Sequence, residues 1–250
     1  MIALLARPQQ EMAEFVLPRA AVINFVHPST FVVSGPTGCG KTAFVVRAFK
    51  ESMLRSVDGL LPERLVWFYG AEQPALFEEL HRALTPAIQL DLHAGLNGLD
   101  AVLDTLQPTV RNVVVIDDLM AEAKDSAAVA LLFTVGSHHA NTTVIYIVQN
   151  FFEKGTKTTT ISRNAHYIVL FKNPRNTTDV RSLATQMLGG DGEKNSVANF
   201  VALYREITKD PFAYLLVDFR PETPDLYRFR TNIFPGEQTI CFTLGGGTDN

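Results

Sequence analysis

Eight consecutive residues, Gly35-Pro36-Thr37-Gly38-Cys39-Gly40-Lys41-Thr42, fill every required position of the G-x-x-x-x-G-K-[ST] phosphate loop. The glycines let backbone N–H groups wrap a phosphate with no Cβ in the way, and the helical stretch that follows, Ala43 to Lys50, adds its partial positive charge. In that arrangement Lys41 reaches the β- and γ-phosphates and the Thr42 hydroxyl ligates Mg²⁺. Position 39 asks for a small residue, so Cys39 reads as packing, with redox sensing as the alternative.

The apolar run Val113-Val114-Val115-Ile116 ends in two carboxylates, Asp117 and Asp118. Beside a phosphate loop this is the second half of a nucleotide hydrolase: Asp117 holds Mg²⁺ through its water shell, and Asp118 orients and deprotonates the attacking water. Without the loop, the pair would read as solvated aspartates capping the next helix. A further run, Val144 to Val148, ends in Gln149-Asn150, and Gln149 is placed to sense the γ-phosphate if its strand lies between the other two. A water-activating carboxylate and a polar strand end separate this chain from small-molecule kinases, which need neither.

Chemistry of this kind needs a stiff frame, and the sequence supplies one. Phe31–Val33, Leu65–Tyr69, Val113–Ile116, Val144–Val148, Tyr167–Phe171 and Tyr214–Val217 are apolar at consecutive positions, as strands covered on both faces require. Between them, Leu76, Leu80, Ala83 and Leu84, then Val180, Leu183, Ala184, Met187 and Leu188, then Val197, Phe200, Val201 and Tyr204 recur at the helical period. An α/β fold with a mostly parallel sheet flanked by helices follows. Segment 126–135 is apolar nearly all round, which predicts a helix more buried than the others, and Gly189-Gly190-Asp191-Gly192 predicts a loop. The expected organisation is an N-terminal extension over 1–21, one domain over 22–242 and a Gly-rich tail over 243–250.

Composition bounds the partners. Hydrophobic residues make up 46% of the 250 and charged ones 19%, far from the signature of disorder. A net charge of −4 excludes a protein that holds nucleic acid by its overall charge, so such a contact needs a local patch. Segment 154–181 offers one, with Lys154, Lys157, Arg163, Lys172, Arg175 and Arg181 against the single acid Asp179; a solvated basic face is the alternative reading. Aromatic platforms for single strands are few there, which favours duplex DNA. Two distant cysteines, Cys39 and Cys241, make neither a disulfide framework nor a zinc site, and a reducing intracellular setting is expected. The apolar start Met1–Ala6 is too short for a signal-peptide core, and no later run approaches the roughly 18 residues of a membrane helix. The adjacent His138 and His139 point in different directions on a helix and read as packing or subunit-contact residues.

From about Pro28 to Glu237 the chain resembles the viral genome-packaging ATPases of the FtsK/HerA superfamily, the poxvirus-type motors also carried by Maverick/Polinton elements. Beyond the two nucleotide motifs, the resemblance lies in segments 132–141, 144–150, 161–175 and 230–237, among them Ser162-Arg163-Asn164 and Arg230-Thr231-Asn232-Ile233-Phe234-Pro235-Gly236-Glu237. It implies a RecA-like (additional-strand) P-loop fold, ATP and Mg²⁺ as cofactors, and a ring of like subunits that drives double-stranded DNA into a capsid. Capsid proteins are then partners, and the setting is the host nucleus, a cytoplasmic assembly site or the virion. Arg163 matches the position from which an arginine reaches a neighbour's nucleotide, with Arg175 and Arg181 as alternatives. Val135 and Ala140 stand where the family often carries basic residues. Two rivals stay open: a replicative helicase or initiator ATPase of a small DNA virus, and a P-loop scaffold that binds nucleotide without useful turnover.

Overall fold

Runs of β-branched and aromatic residues with no polar interruption are stable only where both faces of a sheet are covered, and Val113–Ile116 are fully buried. In the computed structural model, which describes residues 12–18, 23–137, 140–151, 157–188 and 196–244, the described elements run as follows. The strands are β1 (Met12–Val16), β2 (Phe25–His27), β3 (Thr30–Ser34), β4 (Leu54–Ser56), β5 (Arg64–Tyr69), β6 (Gln89–Ala94), β7 (Asn112–Asp117), β8 (Thr142–Val148), β9 (Tyr167–Phe171), β10 (Tyr214–Asp218), β11 (Phe229–Thr231) and β12 (Ile240–Leu244). The helices are α1 (Lys41–Lys50), α2 (Pro74–Leu84), α3 (Leu99–Leu103), α4 (Met120–Ala123), α5 (Ala127–Leu131), α6 (Thr158–Arg163), α7 (Thr178–Leu188) and α8 (Ser196–Ile207). All six expected strands and all three periodic helices are present, the Tyr167–Phe171 strand with the expected bounds and the others longer by one to three residues at one end or both.

The chain divides into two compact units, a central one of residues 23–168 and a terminal one formed by the two ends of the chain, with the boundary inside β9. In the central unit the strands lie in the order β3-β8-β7-β5-β6, every pair parallel. Parallel neighbours need a crossover, and the segments carrying α1, α2, α3 and α5 supply it. A second, two-stranded parallel pair joins β2 to β4. Phe25, Phe31 and Tyr167 pack together at one end, the last two stacked at 4.5 Å.

The terminal unit is antiparallel where its pairing is described. Strand β10 pairs β11, β11 pairs β12, and β12 pairs β1 with Phe15 opposite Cys241. Residues 12–16, expected as part of an extension, therefore form a strand, and β12 runs on to Leu244. Each is short and half-exposed, so neither carries the apolar run that marks the buried strands.

Segment 126–135 departs from expectation. Helix α5, capped by the Ser126 hydroxyl accepting from the Val129 N–H at 3.3 Å, passes into a π-turn over Leu132–Gly136. One face is buried, with Val129, Ala130, Leu132 and Phe133, while Leu131 and Val135 stand 55% and 49% exposed, so the segment is one-sided although it is apolar nearly all round. His138, His139, Lys154, the 189–192 loop and the 245–250 tail lie outside the described residues.

Candidate nucleotide site

Strand β8 lies between β3 and β7, the condition on which the role of Gln149 rested. Its register puts Val148 opposite Ser34 and Ile147 opposite Asp117, so the phosphate loop, Gln149 and the acidic pair leave the sheet at one level. The Gly35 N–H donates to the Val148 carbonyl at 3.2 Å, tying the base of the loop to the middle strand. The Gln149 side-chain amide donates to Asp118 Oδ1 at 2.9 Å. Gln149 is thus joined to the carboxylate expected to handle the attacking water.

Gly40 caps α1 with φ +101°, a backbone conformation that a side chain would strain, and so turns the first N–H groups of the helix toward the loop. Lys41 is 9% exposed and donates to the carbonyls of Gly35 at 2.7 Å and Pro36 at 3.0 Å. Its ammonium therefore sits within the curl of the loop. Burial raises the Cys39 thiol pKa and keeps it protonated, which suits the packing reading better than the redox one.

Thr42 and Asp117 meet: the threonine hydroxyl lies 3.1 and 3.3 Å from the two carboxylate oxygens. Asp117 is 2% exposed, and burial pushes its pKa up to about 6; the Thr42 hydrogen bond opposes that rise and the nearby Asp118 charge adds to it. A buried carboxylate in that state gains from a cation. Mg²⁺ takes oxygen ligands, keeps several waters and needs only one or two carboxylates besides substrate phosphates, so this hydroxyl and carboxylate fit it. Among the described residues no group of three or more His, Cys, Asp or Glu gathers as a ligand set, so such an ion would draw its remaining ligands from phosphate and water.

Asp118 is exposed and adopts φ +55°, a left-handed conformation that aspartate tolerates at modest cost. The neighbouring β5 makes room for it, since the Gly70 N–H donates to the Asp117 carbonyl at 2.9 Å and no side chain follows. An open cleft of about 380 Å³ runs over these residues, lined by Thr37, Lys41, Thr42, Asp117 and Asp118 on one side and by Ala71, Gln73 and Leu76 on the other. The sequence reading missed the second wall. Its signal was weak: Gly70 ends an apolar run, as any strand-ending glycine does.

Arg163 is placed elsewhere. It is the last residue of α6, exposed, and next to Asn164, whose carbonyl accepts from the Thr30 hydroxyl, while the His166 N–H donates to the Thr30 carbonyl. Thr30 begins β3 and Ser34 ends it, so Arg163 stands at the opposite end of the strand from the loop, about 13 Å away along the strand. No acid among the described residues forms an ion pair with it. The basic segment as a whole crosses the unit boundary: Lys157 and Arg163 belong to the central unit, while exposed Lys172, Arg175 and Arg181 belong to the terminal one. Lys172 donates to the Lys209 carbonyl at 2.7 Å and Asp179 is buried. Among the described residues no helix is long and apolar enough to cross a membrane.

The chain matches no protein-family profile and no curated protein. Solved structures do match. The DNA-packaging ATPase B204 from Sulfolobus turreted icosahedral virus is 12% identical with a TM-score of 0.52, over 79% of this chain and 95% of that one. The genome-packaging NTPase B204 of Sulfolobus turreted icosahedral virus 2, in complex with ATP-gammaS, is 13% identical with a TM-score of 0.51, over 78% and 95%. At such identities the likeness is one of fold, and the fold is that of the RecA-like P-loop ATPases.

Proposed function

We propose that this protein is an ATP-hydrolysing motor that moves double-stranded DNA into a viral capsid, working as a ring of like subunits with ATP and Mg²⁺ as cofactors. The observation that carries the hydrolytic half is the Gln149–Asp118 hydrogen bond at the end of the middle strand, because it joins a phosphate-sensing amide to a water-activating carboxylate. A scaffold that only binds nucleotide has no use for that pair. The packaging half is supported by the likeness in fold to B204, which spans nearly all of that chain, and by the family resemblance of segments 132–141, 144–150, 161–175 and 230–237.

In this reading the loop N–H groups and the α1 N-terminus hold the β- and γ-phosphates, with Lys41 exchanging its carbonyl partners for phosphate oxygens. Thr42 and Asp117 would hold Mg²⁺, which supplies charge neutralisation on the phosphates. Asp118 accepts a proton from water, and Gln149 keeps its carboxylate aimed. Arg163 acts on the nucleotide of the next subunit in the ring. The test is ATP hydrolysis by the purified chain with and without linear duplex DNA across a salt series, beside electron micrographs of the particles. Ring-shaped particles and stimulation that falls steeply with salt are expected, because an acidic protein meets phosphate through a local patch whose contacts release counterions. Hydrolysis indifferent to duplex DNA at every salt concentration would remove DNA as the substrate.

A further inference from the structure

Trp67 is the single tryptophan of the chain, and it is fully buried in the middle of β5. In the β5–β7 register it lies opposite Val115, while Tyr69 lies opposite Asp117. Side chains two apart share a face of a sheet, so Trp67 and Asp117 are diagonal neighbours on one face. That face is the one toward α1, since Thr42 meets Asp117 there, and toward α2, whose Phe77 packs edge-on to the Trp67 ring at 6.1 Å.

The indole N–H is buried and has no acceptor at hydrogen-bonding distance and angle. Buried donors of this kind are rare and ask for an explanation. The Asp117 carboxylate lies on the same face, one diagonal step away across the β5–β7 pair. Phe77 packs against the indole edge-on, and the ring is fully buried.

We propose that Trp67 is a positioning residue for the metal half of the site, its indole N–H donating to Asp117 when that carboxylate turns from the Thr42 hydroxyl to share a magnesium ion with it. The proposal rests on the nucleotide-hydrolase reading above. Mg²⁺ asks for fixed oxygen positions, and a ligand's outer hydrogen bond sets which way its lone pairs face. Asp117 has two oxygens for this purpose, one for the ion's shell and one for the indole. Trp67 touches neither the ion nor the phosphates.

The experiment is equilibrium binding of a fluorescent ATP analogue, followed by anisotropy, to the full chain and to Trp67→Phe, in excess Mg²⁺ and in EDTA. Phenylalanine keeps a ring in place and removes the N–H. Binding in EDTA is expected to be unchanged, while binding in Mg²⁺ weakens about tenfold, the scale of a lost hydrogen bond to a charged group. Equal weakening in both conditions means that the ring only packs, and no weakening in Mg²⁺ means that the N–H does nothing; either result overturns the proposal. Benzothienylalanine at position 67, which keeps the whole bicyclic shape and lacks only the N–H, repeats the comparison should the smaller ring unfold the sheet. A wild-type chain that binds no nucleotide in either condition overturns the nucleotide-site reading itself, which is a different result from a wild type that binds and a variant that matches it.

Discussion

The Asp118 carbonyl oxygen occupies the space of the Gly70 side chain: a Cβ built on Gly70 would lie 2.4 Å from it, and 3.2 Å from the carbonyl carbon. Real Cβ atoms do not approach a backbone oxygen so closely. Gly70 is thus needed for its missing side chain, since its φ lies outside the left-handed region. The left-handed Asp118 and the bare Gly70 are two halves of one arrangement.

Gly70→Ala should therefore displace Asp118 while leaving the phosphate loop alone. Nucleotide affinity is expected within about twofold of wild type, with kcat reduced about 10²-fold, since misplacing a reacting group by about an ångström costs that much. Steady-state kinetics beside equilibrium binding separate the two. A variant with wild-type kcat would show that the backbone at Asp118 yields without consequence.

Asp118→Asn tests charge without backbone change, because asparagine tolerates the left-handed conformation as readily as aspartate. Mg-nucleotide should still bind, and turnover should fall by about 10²–10⁴, the usual contribution of a positioned general base. If Asp117→Asn behaves this way and Asp118→Asn does not, the two aspartates have exchanged roles.

Arg163 lies by the Thr30 end of β3, the loop by the Ser34 end, so in the proposed ring its action would fall on another subunit's phosphate. Arg163→Ala should bind nucleotide normally and lose turnover, by on the order of 10³ where a finger of this type has been isolated. Mixing inactive Arg163→Ala subunits with inactive Lys41→Ala subunits should restore part of the activity, since some interfaces then pair an intact loop with an intact arginine. Rings shown to be mixed but still inactive would reject the trans role.

His27 gives a prediction in pH. It is 2% exposed, its Nδ1 lies 2.8 Å from the Thr143 hydroxyl and its Nε2 lies 3.1 Å from Asn141 Oδ1. Because the Asn141 Oδ1 can only accept, the neutral ring donates from Nε2, and Nδ1 accepts the proton of the Thr143 hydroxyl, which itself accepts from the Ser29 N–H. Burial lowers the His27 pKa from 6.5 to about 4; the Asn141 hydrogen bond opposes that, Arg111 adds to it and Glu63 opposes it. The unfolded ring takes up a proton before the folded one does, so this contribution to stability is complete above pH 6.5 and is lost as pH falls toward 4. The loss is about 3 kcal/mol. Urea unfolding of wild type and His27→Asn at a series of pH values should give curves that converge as pH falls, and parallel curves would contradict the assignment.

The parallel core was legible because fully covered strands must be apolar at every position, as Val113–Ile116 and Tyr167–Phe171 are. The loop was legible because phosphate binding restricts residue types at fixed spacing. Strands β1, β2, β4, β6, β11 and β12 were not. They are short or half-exposed, and their pairing partners, not their composition, make them strands: β1 and β12 find each other across more than two hundred residues. Gln149 was legible only through strand order, which sequence states as a condition. Trp67 and Gly70 were hidden in a run that reads as ordinary core, because their effect on Asp117 and Asp118 arises from a neighbouring strand.

The Lys41 ammonium bound to the Gly35 and Pro36 carbonyls also bears on affinity. In the proposed nucleotide reading, an incoming phosphate would have to take the ammonium from two carbonyls, so part of its attraction offsets hydrogen bonds the loop already makes. The Gly35 and Pro36 carbonyls are then the loop's own competitors for the Lys41 charge, two backbone oxygens standing where a phosphate's would.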